Sequence, residues 1–149
     1  MHVAVGSDHA GFRLKQKVME ILTELGYRFE DFGCYDTSSV DYPDIGRAVA
    51  EAVSQGKFNL GILICSTGIG MSIVANKIPG IRAALCHDPF SARRAREHNN
   101  ANVLCLGESI IGPGLLREIL LTFLNADFEG GRHARRLEKI RFIEEELWK

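Results

Sequence analysis

An unbroken apolar run, Leu60-Gly61-Ile62-Leu63-Ile64, leads directly into Cys65-Ser66-Thr67-Gly68-Ile69-Gly70-Met71, and this junction constrains the fold more than any other stretch. A run of this kind, closed by small and hydroxyl residues, reads as a strand buried on both faces of a parallel sheet. Gly68 and Gly70 let the backbone turn tightly and come close to a ligand. The residues beyond them start a helix, whose first N–H groups have no internal partner and attract anions. Cys65 then sits beside a donor-rich, positively polarised pocket, which favours thiolate over thiol. A cysteine ending a strand is ordinarily just a small hydrophobe. A structural cysteine, however, has no use for Thr-Gly-x-Gly after it.

Spacing excludes three better-known loops. A P-loop needs Gly-Lys-Ser/Thr, but Met71 and Ser72 follow Gly70. A dinucleotide fingerprint needs a third glycine where Ile73 stands. A cysteine phosphatase needs an arginine at the far end of the loop to clamp the phosphoryl group, and the loop runs on through Met71, Ser72 and Ile73. What remains is a cysteine facing a phosphate- or oxyanion-binding turn.

With 149 residues the chain is long enough for one substantial core, and a single domain over 1–149 is expected. A net charge of −1 and no basic tract argue against nucleic acid as the main partner. The N-terminus enters a strand pattern without a charged-then-apolar leader, and no apolar run approaches membrane-spanning length. The expectation is a cytoplasmic protein that does not engage a membrane. Cys34, Cys65, Cys86 and Cys105 are dispersed, which suits reduced thiols. Neither a disulfide framework nor a metal site is expected.

Strand runs alternate with amphipathic stretches. Strands are expected at His2–Ser7, Arg28–Phe32, Leu60–Ile64, Arg82–Cys86 and Val103–Leu106. Helices are expected at Phe12–Leu25, Pro43 to about Gln55, the turn after Gly70 to Asn76, Pro89–His98, Pro113–Asn125 and Arg132–Trp148. Repeated β-α-β units give an α/β, three-layer Rossmann or flavodoxin-like fold with a five-stranded parallel sheet and a C-terminal helix. The expected strand order is 2-1-3-4-5, with ligands binding beyond the carboxyl ends of the first and third strands. Ser7-Asp8-His9 and Cys65-Ser66-Thr67 follow those two strands.

Asp8 is a natural helix N-cap and His9 a natural loop residue; their place beside the cysteine loop favours ligand contact. His98-Asn99-Asn100 reads by itself as a helix C-terminus. The cluster Arg132-His133-Ala134-Arg135-Arg136 reads as a solvated face, although Arg132 and Arg136 at i, i+4 can grip one phosphate together.

Taken together, Gly6-Ser7-Asp8-His9-Ala10-Gly11, Asp41-Tyr42-Pro43, Cys65-Ser66-Thr67-Gly68-Ile69-Gly70, His87-Asp88, Glu97-His98-Asn99-Asn100-Ala101-Asn102 and the Arg132/Arg136 pair resemble the B-type ribose-5-phosphate isomerases, the family that also includes galactose-6-phosphate isomerase subunits. The resemblance runs over essentially the whole chain. It implies that Cys65 is the base moving a proton between sugar carbons 1 and 2, while Thr67 and His98 assist ring opening. It also implies that Asp8, Tyr42 and Asn99 hold hydroxyls and that the backbone from Ser66 through Thr67, Gly68 and Ile69 to Gly70 surrounds the carbonyl end. His9, Arg132 and Arg136 would bind the phosphate. Two positions depart from the family pattern: Ser66 replaces a glycine and Ser109 an arginine, so the cradle gains a side chain and loses a charge.

The chemistry fits independently of the resemblance. Interconverting an aldose and a ketose means removing a carbon-bound proton and stabilising an enediolate, tasks suited to a thiolate and to backbone N–H groups. A proton shuttle needs no cofactor. Two rival expectations stand beside ribose 5-phosphate: a six-carbon sugar phosphate such as allose or galactose 6-phosphate, and a non-catalytic sugar-phosphate-binding module. The latter would need neither a thiol nor His98. His98 and Asn99 end a helix leading into the fifth strand, away from Cys65. A two-fold homodimer with shared active sites, or a tetramer built from it, is therefore expected.

Overall fold

The structure, a computed structural model, describes residues 1–148. The strands are β1 (His2–Ser7), β2 (Arg28–Asp31), β3 (Leu60–Cys65), β4 (Ala83–Leu85) and β5 (Val103–Gly107). The helices are α1 (Phe12–Glu24), α2 (Tyr42–Ser54), α3 (Ile69–Ala75), α4 (Pro89–Asn99), α5 (Pro113–Asn125) and α6 (Arg132–Leu147), with a short 3-10 turn at His9–Gly11. Boundaries fall within a residue or two of expectation: Tyr42 joins α2, while Cys65 and Gly107 extend their strands. A proline in the first turn of α2, α4 and α5 explains where those helices begin, since its fixed φ suits the position and its missing N–H is not needed there.

All pairings are parallel, and side chains alternate between two cores. Val3, Val5, Ile62, Ile64, Leu104 and Leu106 face α1, α4 and α5. Ala4, Leu63, Cys65, Val103 and Cys105 face α2 and α3. β1, β3 and β5 are thus apolar on both faces because helices cover both sides.

The sheet order is β2-β1-β3-β5-β4, which corrects the expected 2-1-3-4-5. β5 lies against β3, with Gly61 opposite Val103 and Cys65 opposite Gly107, and β4 is the outer strand. The physical reason is burial. Every residue of β5 is buried, whereas the three residues of β4 are half-buried or exposed and suit an edge. The exchange brings the segment after β5 beside the cysteine loop.

Candidate active site

The site is built at the carboxyl ends of β1, β3 and β5. Cys65 closes β3 with only 6% of its surface exposed. The chain then turns through Gly68 at φ +78°, a left-handed conformation that a side chain would strain. A Cβ on Gly68 would also come within 2.5 Å of Leu85 Cδ1 and 2.9 Å of the Leu106 carbonyl carbon. The turn aims the Gly68 N–H at the Cys65 Sγ, 3.2 Å away. The Ile69 N–H meets the Thr67 hydroxyl oxygen at 3.3 Å.

Tyr42 packs over this loop so closely that a Cβ on Gly70 would lie 2.5 Å from its ring. From β1, the Asp8 N–H donates to the Ile64 carbonyl (3.2 Å), which locks the two strand ends together. Asp8 Oδ1 accepts the Gly11 N–H at 3.0 Å, so the side chain does serve as a cap, and it is buried. His9 Nδ1 accepts the Val40 N–H at 3.2 Å. That bond leaves the proton of the neutral ring on Nε2, available for donation. Asp8, His9, Tyr42 and the loop from Cys65 through Ser66, Thr67, Gly68 and Ile69 to Gly70 therefore converge.

His98, Asn99, Arg132 and Arg136 do not join them. α4 starts after the carboxyl end of β4 and runs back to the amino edge, where the Asn102 N–H donates to the Arg82 carbonyl (3.0 Å) and the Gly61 N–H to the Asn102 carbonyl (2.8 Å). From Gly61 at that edge, four residue steps of β3 lead to Cys65, roughly 13 Å at the usual strand rise. There His98 stacks on His133 with ring centroids 4.1 Å apart and an 11° interplanar angle. Arg132 and Arg136 lie exposed on the first turns of α6. His133 corrects the expectation of a wholly solvated face: it is the buried residue of α6. Burial, then the charges of His98, Arg132 and Arg136, push its pKa below the usual histidine range, with Glu129 opposing.

Two sets of contacts were not anticipated, although Ser109 was already expected to bear on the cradle. Because β5 is central, Glu108 and Ser109 reach the loop: the Glu108 N–H donates to the Cys65 carbonyl (2.9 Å) and the Ser109 N–H to the Ser66 carbonyl (3.0 Å). The Ser66 and Ser109 hydroxyls, the two departures from the family pattern, lie 3.0 Å apart and bond each other. The signal was present in Val103–Leu106, as apolar as β3 itself and so equally central. The second set is Glu129 with His133, whose proximity to His98 depends on how α6 docks. Among the other cysteines, burial and Asp88 push the Cys86 thiol up to about 11, and burial raises Cys105 further still.

Parallel β-α-β topology with the cysteine-glycine loop at the switch point is the architecture of proteins that bind small ligands beyond the strand ends, and the comparison with known proteins narrows it. Residues 3–140 match the ribose/galactose isomerase family, and the chain belongs to that family. The solved ribose-5-phosphate isomerase B of Clostridium thermocellum is 51% identical and superposes with a TM-score of 0.97, covering 98% of this chain and 99% of that one. Ribose-5-phosphate isomerase B of Escherichia coli (strain K12) is 45% identical over 96% of both chains. D-erythrulose-4-phosphate isomerase of Pectobacterium atrosepticum is 47% identical over 97% of this chain and 95% of its own. Among the described residues no helix is long and apolar enough to cross a membrane.

Proposed function

We propose that this chain, acting as one domain over residues 1–149, is a cytoplasmic aldose–ketose isomerase that interconverts D-ribose 5-phosphate and D-ribulose 5-phosphate. The observation that carries the reading is the Gly68 N–H aimed at the Cys65 sulfur at 3.2 Å, at the head of the α3 turn. That bond fixes the Cys65 sulfur beside the donor-rich loop, where it can take up a proton from a sugar carbon held against the backbone N–H groups.

In the proposed reaction His98 and Thr67 exchange protons with the ring oxygen and the anomeric hydroxyl, opening the furanose to the aldehyde. The Cys65 thiolate then removes the proton on carbon 2. The electron pair moves into an enediolate whose oxygens lie against the backbone N–H groups of Thr67–Gly70. The proton of the carbon-2 hydroxyl passes to the carbon-1 oxygen, the Cys65 thiol returns its proton to carbon 1 as the carbon-2 carbonyl forms, and the ketose leaves. Asp8, Tyr42 and Asn99 hold hydroxyls; His9, through its Nε2–H, and the Arg132/Arg136 pair hold the phosphate. No cofactor or metal takes part in this scheme.

The separation of His98, Asn99, Arg132 and Arg136 from Cys65 supports a homodimer in which each site takes one group from each chain. Exposed apolar side chains around the loop fit such an interface: Ile69 (52%), Ile73 (56%) and Phe90 (60%). The name of the Pectobacterium relative keeps other sugar phosphates in view.

The test is to follow ribulose 5-phosphate formation from ribose 5-phosphate with a chelator present, beside four- and six-carbon sugar phosphates. Turnover highest on ribose 5-phosphate, unchanged by chelator and competitively inhibited by inorganic phosphate is expected. Faster turnover of another chain length would reassign the substrate. Binding without turnover of any would leave only a sugar-phosphate-binding module.

A further inference from the structure

The amino-edge cluster also has the makings of a metal site. His98, Glu129 and His133 each offer one ligand atom, and these atoms lie within 4.8 Å of one another. Glu129 Oε1 is 3.6 Å from Nε2 of both histidines. Within that group His133 Nε2 is buried and has no hydrogen-bond partner among the described residues, an arrangement that ordinarily costs stability.

We propose that His98, Glu129 and His133 form a binding site for a divalent ion of the Zn²⁺ type, and that its occupancy inhibits the isomerase by withdrawing His98 from the sugar. The inhibitory half rests on the function proposed above; the binding half does not.

Two imidazoles and one carboxylate are the donor set that a borderline ion such as Zn²⁺ takes, with a fourth position left to water. Tetrahedral bonds of about 2.0–2.1 Å place donors about 3.3 Å apart. The 3.6 Å carboxylate–imidazole separations are already near that value. The rings stack with an 11° interplanar angle, and the part-exposed His98 ring has room to tilt toward an ion shared with His133. Nothing has to be dehydrated at His133, whose nitrogen is already out of water.

The surrounding charges set the strength. Arg94 Nη1 is 3.4 Å from His98 Nε2 but sits on a side chain 41% exposed, which can swing into solvent. Glu97 engages both Arg93 and Arg94 at 3.4 Å. Arg132 and Arg136 are exposed on α6. Glu129 is the anionic ligand. A site in such cationic company is one of moderate affinity, suited to reversible control.

The full-length protein, stripped with chelator and dialysed, would be titrated with Zn²⁺ by calorimetry near pH 7.5, with Cys65→Ala as a control for thiol binding. One ion per chain is expected, retained in Cys65→Ala and weakened at least about tenfold in Glu129→Gln. Glu129 is half-exposed, so that variant spares the fold; His133→Gln should lose binding as well. Absence of stoichiometric binding, undiminished binding by Glu129→Gln, or loss of binding in Cys65→Ala overturns the site. Turnover that falls as Zn²⁺ saturates the site, and returns on chelation, supports inhibition; full turnover at saturation overturns it. The zinc-free rate of the same sample tests the isomerase reading separately.

Discussion

At Cys65 three influences meet: the end of a buried strand, a backbone donor at 3.2 Å, and a loop held open by glycine. Cys86 and Cys105 lie in the same sheet, and burial raises both thiols. Replacing Cys65 with alanine removes the proposed base and little else. The expected outcome is a turnover loss of about a hundredfold or more with sugar-phosphate binding retained, read by steady-state kinetics beside calorimetry. Near-normal turnover would reduce Cys65 to packing. In the proposed scheme Arg136 belongs to binding rather than chemistry. Because a charge-assisted bond to phosphate contributes about 1.5–3 kcal/mol, Arg136→Ala should raise KM roughly ten- to a hundredfold while kcat moves little. An unchanged KM would remove it from the phosphate grip.

Among the elements, the contact between α4 and α6 is where charge and packing meet. Docking α6 buries His133 against His98, with Glu129, Arg132 and Arg136 facing it. Burial and the neighbouring positive charges lower its pKa in the folded protein, whereas the unfolded chain titrates near about 6.5. Below that value the unfolded state takes up a proton that the folded state resists, so stability falls as pH drops through about 6.5. At fixed protein concentration the urea midpoint of the natural chain should fall between about pH 8 and pH 5.5 by more than that of His133→Phe. Equal losses would mean that His133 titrates as freely folded as unfolded. The exchange of β4 and β5 in the sheet matters at this scale too. It brings the Glu108 and Ser109 backbone into hydrogen bonds with the cysteine loop, and there the Ser66–Ser109 hydroxyl pair forms.

At the scale of the whole molecule, each chain carries both halves of the proposed site but holds them at opposite ends of the strands of one sheet. A two-fold assembly can pair the carboxyl edge of one chain with the α4–α6 end of its partner. Cys65→Ala and His98→Ala proteins, each inactive alone, should then regain activity when mixed after subunit exchange. Random pairing makes half the dimers mixed, each with one intact site, so about a quarter of all sites should recover. A mixture that stays inactive despite demonstrated exchange would place His98 within its own chain's chemistry or outside it. By itself the sequence determined the alternation of strands and helices, the doubly covered parallel sheet and the cysteine loop. Those follow from local patterns: apolar runs, helical periodicity, prolines at helix starts and glycines where the backbone must bend. Whether β4 or β5 lies beside β3 was decided only by the tertiary structure, because strand order depends on which faces the crossover helices can bury together. The same holds for His133. Its neighbours in sequence are charged, and only the docking of α6 onto α4 turned a residue on a charged face into a buried imidazole stacked against His98.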